Sequence, residues 1–357
     1  MFNDPIPPTA APIDRRGFLQ STLAVALATQ VAPSLAAAAP GKTVIKPRRL
    51  VAGATVGLIS PASATWTADE LDIITETVAA LGLKFKLGRH VMDRYGYLAG
   101  KDADRAADLN AMFADDSVDA ILCVRGGWGS NRILQLLDYP AIAAHPKILL
   151  GYSDITSLLT AIYARTGLVT FHGPVGASTW NPFSLDSLRR ILFQGEAIRM
   201  ENPKVAGDNL VATKDRARTI TPGTATGRLI GGNLTVLTAM LGSNYLPDWT
   251  GTILFLEDTN ENIYRIDRML TQLKLAGVLD RISGLVFGKC TKCTPGEGYG
   301  SLTLEEVLYD HIAPLKIPAW HGAMIGHIEN KFTVPIGVLA RIEAERGTLT
   351  MLEPAVT

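Results

Sequence analysis

The segment Val-Asp-Ala-Ile-Leu-Cys-Val-Arg-Gly-Gly-Trp-Gly-Ser-Asn-Arg-Ile-Leu, residues 118 to 134, most constrains how this chain folds. An unbroken apolar stretch from Ala120 to Val124 runs into a glycine-rich turn and then into a helical pattern. A strand that is apolar on both faces belongs in a parallel sheet covered by helices, and parallel neighbours need long crossover connections. The pattern recurs along the chain. Ala54 to Ile59 ends in the turn Ser60-Pro61-Ala62-Ser63 and precedes a helix from Asp69 to Leu81. Lys147 to Gly151 ends at Tyr152-Ser153-Asp154 and precedes a helix through Leu158, Leu159 and Ile162. Phe85 to Leu87 reads as a further strand, and Asp102 to Phe113 as a helix with Ala106, Leu109 and Phe113 turned inward. The fold class is therefore α/β.

Two domains are expected. Residues 47–196 form an N-terminal α/β domain on a parallel sheet. Residues 197–226 contain Asn202-Pro203-Lys204, Gly207-Asp208-Asn209 and Thr221-Pro222-Gly223-Thr224 with few periodic apolar positions, which reads as a linker. Residues 227–357 form a C-terminal mixed α/β domain with a strand at Thr252 to Leu256 and a helix from about Arg265 to Ala276. Residues 1–39 differ from the rest. Arg15-Arg16, the uncharged stretch Ser21 to Ala28 and the run Ala36 to Ala39 before Pro40 have the form of a twin-arginine signal peptide, which predicts export to the periplasm. A membrane anchor or an unstructured tail is the alternative, although the stretch falls short of the roughly 20 apolar residues of a stable span. After cleavage, no stable membrane insertion is expected.

Thirty-four basic and 34 acidic residues cancel, and no basic run with interleaved aromatics offers a nucleic-acid surface. Small molecules or peptides are the expected partners. Three cysteines, Cys123, Cys290 and Cys293, are too few for a disulfide framework. Cys290-Thr-Lys-Cys293 has redox or metal spacing, but a structural zinc would need a second pair; a disulfide formed after export is the remaining role. The cysteines supply no metal site.

Ser130 follows three glycines in four positions, where a hydroxyl can stand beside the first amides of a helix. It reads either as a nucleophile or as a helix N-cap. The G-x-S-x-G signature is absent around it. Of six histidines, His90, His145 and His311 read as surface residues, whereas His172, His321 and His327 lie near turns that could line a cleft. Glu257 and Asp258 end the apolar strand Leu254-Phe255-Leu256, a position suited to a carboxylate that orients an imidazole, or to one that caps the following turn.

Several motifs occur together: Gly-Tyr-Leu-Ala-Gly at 96 to 100, Arg-Gly-Gly-Trp-Gly-Ser-Asn-Arg at 125 to 132, Gly-Tyr-Ser-Asp at 151 to 154, and Gly-Gly-Asn-Leu at 231 to 234. Leu-Glu-Asp at 256 to 258, Tyr-Arg-Ile-Asp-Arg-Met-Leu at 264 to 270 and Gly-His-Ile-Glu-Asn-Lys-Phe-Thr-Val-Pro-Ile-Gly at 326 to 337 complete the series. In this order they resemble the LD-carboxypeptidases, serine peptidases that include the microcin-immunity peptidases. The resemblance implies a Ser-Glu-His triad, placed on Ser130, Glu257 and His327, with an oxyanion bound by the amide of Asn131. It also implies a cofactor-free serine carboxypeptidase that releases D-alanine from murein tetrapeptides through an acyl-enzyme, and a homodimer. Hydrolysis of peptidyl-nucleotide compounds, or wall-peptide binding without catalysis, is the alternative. Arg125 and Arg132 are candidates for the substrate carboxylate, and His172 for lining the cleft.

Overall fold

The buried apolar runs and the amphipathic segments between them assemble into two sheets. The computed structural model describes residues 43–296 and 300–357; the signal segment 1–39 lies outside the described residues. In the first half β1 (Thr55–Ile59), α1 (Ala68–Ala80), β2 (Lys84–Leu87), α2 (Asp102–Ala114) and β3 (Ala120–Cys123) follow in order. They lead to α3 (Tyr139–Ala144), β4 (Ile148–Gly151), α4 (Thr156–Thr166), β5 (Thr170–His172) and α5 (Pro182–Leu192). β1, β3, β4 and β5 pair in parallel, β2 flanks β1, and β3 and β4 are buried throughout. Both faces are covered by helices, as the double-faced apolar pattern requires.

The second half contributes β6 (Arg199–Glu201), β7 (Arg218–Thr221), β8 (Thr224–Asn233), α6 (Leu234–Ala239), β9 (Ile253–Thr259), α7 (Ile263–Leu275) and β10 (Gly284–Thr291). It continues with α8 (Leu304–Ile312), β11 (Ala319–His321), β12 (Val334–Ile336), β13 (Leu339–Glu343) and β14 (Thr348–Met351). The first sheet has the order β12-β5-β4-β3-β1-β2, and the second has the order β6-β14-β13-β8-β9-β10-β11-β7. β8 to β11 pair in parallel at the centre of the second sheet, and antiparallel strands flank them, so it is mixed.

Two boundaries differ from the sequence reading. The expected linker 197–226 carries β6, β7 and the start of β8, and β6 and β7 are the two edges of the second sheet. Short edge strands carry little apolar periodicity because one side of each pairs with nothing, which is why composition alone reads them as a loop. The expected C-terminal domain is not self-contained either. β12 leaves it and pairs antiparallel with β5, Val334 opposite His172, while the last residue, Thr357, exchanges backbone bonds with Pro47 and Arg49. Residues Lys42–Thr357 form one compact unit.

One apolar core runs from the first sheet through α4 to β12, β13 and β14; a second packs α6, α7 and α8 on β8, β9 and β10. The halves are also joined through polar groups, because the Asn233 amide donates to Thr156 Oγ1 at 3.0 Å. β4, β9 and the loop before β12 end at this junction. Among the described residues, no helix is long and apolar enough to cross a membrane.

Candidate active site

β4 delivers Ser153. After Gly151 the chain passes through extended Tyr152 to Ser153, which has φ 65°, and a short 3-10 turn then leads into α4. A non-glycine residue in this left-handed region is held there at a cost of order 1 kcal/mol, a strain that clusters at functional sites. Close packing enforces the position. A Cβ on Gly126 would lie 3.0 Å from Ser153 Cβ and 3.3 Å from its Oγ, so a bare backbone is needed beside this side chain.

The Ser153 hydroxyl meets His327. Its Oγ lies 2.8 Å from His327 Nε2, and His327 Nδ1 lies 2.8 Å from Glu257 Oε2. Glu257 is completely buried within β9, where an isolated charge would be very costly. It is hydrogen-bonded on both oxygens, because Asn233 Nδ2 donates to Oε1 at 3.2 Å. His327 stays partly open to solvent, with 19% of its side chain exposed. Gly326 allows the contact, since a Cβ there would stand 2.7 Å from Glu257 Oε2. Tyr152 flanks the imidazole at a ring separation of 4.9 Å, and the Lys331 ammonium lies 4.4 Å from the centre of the Tyr152 ring. Burial lowers the Lys331 pKa to about 8, against the opposing pull of Glu257.

Ser130 does not occupy this site. Its side chain is fully buried; its Oγ bonds the Asp154 carbonyl and Ser157 Oγ, each at 2.6 Å, and its amide donates to Asp154 Oδ2 at 2.7 Å. Nor is it an N-cap, since it opens the 3-10 helix Ser130–Leu136 itself. Its role is to hold the 3-10 turn that presents Ser153. The buried Asp154 carboxyl is raised above its ordinary pKa by burial, opposed by the hydrogen bonds from Ser130. Asn131 lines the cavity beside Ser153, with its Oδ1 buried and unpartnered, but with Ser130 turned inward its amide loses the reason for its oxyanion assignment. A local signal for Ser153 exists in the sequence: Gly151-Tyr152-Ser153 is the first half of a nucleophile elbow, departing from the full signature at Ile155.

The other expected residues also change role. Arg132 is engaged in a two-point pair with Asp102, its Nε and Nη2 lying 2.8 to 3.1 Å from the carboxylate. Arg125 donates to the Ala64 carbonyl at 3.0 Å and approaches Glu70 at 3.5 Å, so neither arginine offers a free fork to a substrate. His172 is 2% exposed, behind Glu257, and does not line the cleft. Asp258 does not cap a helix but lies within β9, where it accepts bonds from Asn233, from its own neighbour Thr259 and from Thr235. Burial and the adjacent Glu257 push its pKa up to about 6.

A cavity of about 180 Å³ opens beside Ser153, lined by Trp128, Asn131, Asn233, Asp258 and Glu261 among others. Two larger clefts, of about 770 and 820 Å³, contain none of Ser153, Glu257 and His327. Cys290 and Cys293 are joined by a disulfide at the end of β10. Among the described residues, one group has donor atoms close enough to share a metal ion: His90, Asp93 and Asp104. It contains none of the residues around Ser153.

Known proteins share this arrangement of domains. Residues 56–173 match the LD-carboxypeptidase N-terminal domain and residues 226–342 the LD-carboxypeptidase C-terminal domain. A probable murein peptide carboxypeptidase of Bacillus subtilis is 41% identical over 308 residues, covering 85% of this chain and 93% of the relative. The Microcin C7 self-immunity protein MccF of Escherichia coli is 31% identical over 330 residues, covering 85% and 94%. Among solved structures, MccF in its wild-type apo state superposes with a TM-score of 0.79 at 29% identity, covering 88% of this chain and all of that one. A muramoyltetrapeptide carboxypeptidase from Oxalobacter formigenes gives 0.70 at 26% identity, covering 83% and 97%. With both family domains matched in order and relatives aligned over most of their length, the chain belongs to the LD-carboxypeptidase family of serine-type carboxypeptidases.

Proposed function

We propose that the protein hydrolyses the bond joining an L-configured centre to the terminal D-alanine of murein tetrapeptides, with Ser153 as nucleophile, His327 as general base and Glu257 as its orienting carboxylate. The observation that carries this reading is the continuous chain of contacts from Ser153 Oγ through both nitrogens of His327 to buried Glu257, each 2.8 Å long. His327 takes the hydroxyl proton at Nε2 while Glu257 fixes the Nδ1–H tautomer and stabilises the imidazolium. Serine attack creates a tetrahedral oxyanion. The amides of Gly127 and Asp154 are the proposed donors, because both flank Ser153 and neither donates to another atom among the described residues. His327 then protonates the departing amine, releasing the D-amino acid, and water returned through the same base hydrolyses the acyl-enzyme.

The murein substrate rests on the activities for which the relatives are named, among them a murein tetrapeptide carboxypeptidase of Pseudomonas aeruginosa at 34% identity. A second reading, peptidase action on peptidyl-nucleotide compounds, is favoured by MccF in complex with aspartyl sulfamoyl adenosine, which superposes at a TM-score of 0.78. Incubation with a murein tetrapeptide and, in parallel, with an aminoacyl sulfamoyl adenosine separates the two. D-Alanine release that Ser153→Ala abolishes supports the first; full activity in that variant overturns the nucleophile assignment. Export, on the twin-arginine pattern of residues 1–39, and dimerisation, on the family resemblance, belong to the same proposal, and cell fractionation and light scattering test them.

A further inference from the structure

His172 ends β5, between Gly151 of β4 and Val334 of β12. It is 2% exposed, and neither ring nitrogen has a hydrogen-bond partner. Burying an unpaired polar group of this kind costs about 1–3 kcal/mol, so its retention calls for a reason. Its surroundings supply one. Nε2 faces Glu257 Oε1 at 3.7 Å, the oxygen opposite the one that holds His327. The ring is held edge-on by Phe255 at 5.5 Å and Tyr152 at 6.0 Å, which aim it at the carboxylate.

The groups facing it determine its protonation. Glu257 reaches it from β9, His327 and Lys331 from the loop before β12, and Tyr152 from the end of β4. Burial pushes its pKa down to about 4, against the pull of Glu257 and assisted by His327 and Lys331, so the ring is neutral at ordinary pH. A neutral imidazole carries one N–H. With the proton on Nε2 its dipole favours the carboxylate; with the lone pair there, the two repel.

We infer that His172 is a positioning residue for the proposed triad, held as the Nε2–H tautomer so that it donates to Glu257 Oε1 and keeps the other carboxylate oxygen turned to His327. A shortening of less than about 1 Å brings the pair to hydrogen-bond distance, the usual range being about 2.7–3.2 Å. The inference rests on the Ser153–His327–Glu257 reading.

The test compares His172→Phe, which keeps the packing and removes the donor, with His172→Gln, which retains an N–H. D-Alanine release is measured across pH, with thermal melts to verify folding and Ser153→Ala as control. The Phe variant should lose roughly 10–100-fold in kcat with KM unchanged, the range found for groups that orient functional histidines. Gln should restore kcat. A folded Phe variant with wild-type kcat overturns the inference. Should that variant fail to fold, long-range 1H–15N spectra of the wild-type protein decide, because an Nδ1–H tautomer at His172 also overturns it. Activity in Ser153→Ala would instead overturn the triad reading.

Discussion

The imidazole of His327 lies 2.8 Å from the hydroxyl of Ser153, a residue 174 positions earlier in the chain. The nearby Ser130, on an equivalent strand-to-helix turn, points away into the protein and bonds Asp154 and Ser157. Of the two serines, the buried one shapes the loop and the strained one faces the base.

This contrast gives the first expected outcome. Ser153→Ala should lower kcat by about 10⁴-fold or more, the loss typical of a removed nucleophile. Ser130→Ala should retain most activity and lose about 1–3 kcal/mol of stability, since it leaves buried partners unpaired. Steady-state D-alanine release and urea melts of both variants measure this, and the reverse ranking would refute it.

Gly126 should be intolerant of a side chain for a catalytic rather than a folding reason. A methyl group there would stand 3.0 Å from Ser153 Cβ, 3.3 Å from Oγ and 3.3 Å from the Tyr152 carbonyl, so Ser153 must shift by a few tenths of an ångström, which loosens its contact with His327. Gly126→Ala is expected to reduce labelling of Ser153 by a fluorophosphonate probe while the melting temperature stays within a few degrees of wild type.

Asp258 should leave a signature in stability against pH. Its folded pKa of about 6 lies above the ordinary value of 3.8. The folded protein thus holds a proton that the unfolded chain has released. That contribution is complete below about pH 4 and is lost as pH rises through about 6. Asp258→Asn cannot titrate, so its stability relative to wild type should rise across that interval. Urea midpoints at closely spaced pH values test this; a constant difference would count against it.

The disulfide should matter modestly to stability and little to turnover. It closes a very short loop, for which chain entropy gives about 2 kcal/mol at most. The turn keeps other anchors when the bond opens: the Thr291 carbonyl accepts from Asn260, the Thr294 amide donates to Glu261 and the Thr294 carbonyl accepts from Ile263. The Cys290→Ser, Cys293→Ser double variant should melt a few degrees lower yet release D-alanine within about twofold of wild type.

Local pattern is enough to read the α/β class, the strand ending at Gly151, the existence of β9 though not its extension to Thr259, and the interest of Glu257 and His327, because buried parallel strands are continuous apolar runs and polar groups beside them stand out. It also exposes both strand-to-helix turns, although the sequence reading places the nucleophile on Ser130 and not on Ser153. It misses the edge strands β6 and β7 and the return of β12 to the first sheet, since pairing partners more than a hundred residues apart leave no periodic mark. The Gly151-Tyr152-Ser153 half-signature hints at Ser153, but the choice between Ser130 and Ser153 is made by the tertiary structure. Both sit on a strand-to-helix turn, and only the packing of Gly126 against Ser153, its φ of 65° and the burial of Glu257 behind His327 settle which hydroxyl faces the imidazole. Sequence thus supplies the chemical groups and the turns that can expose them, whereas the direction of each side chain is set by contacts that exist only once the two sheets have met.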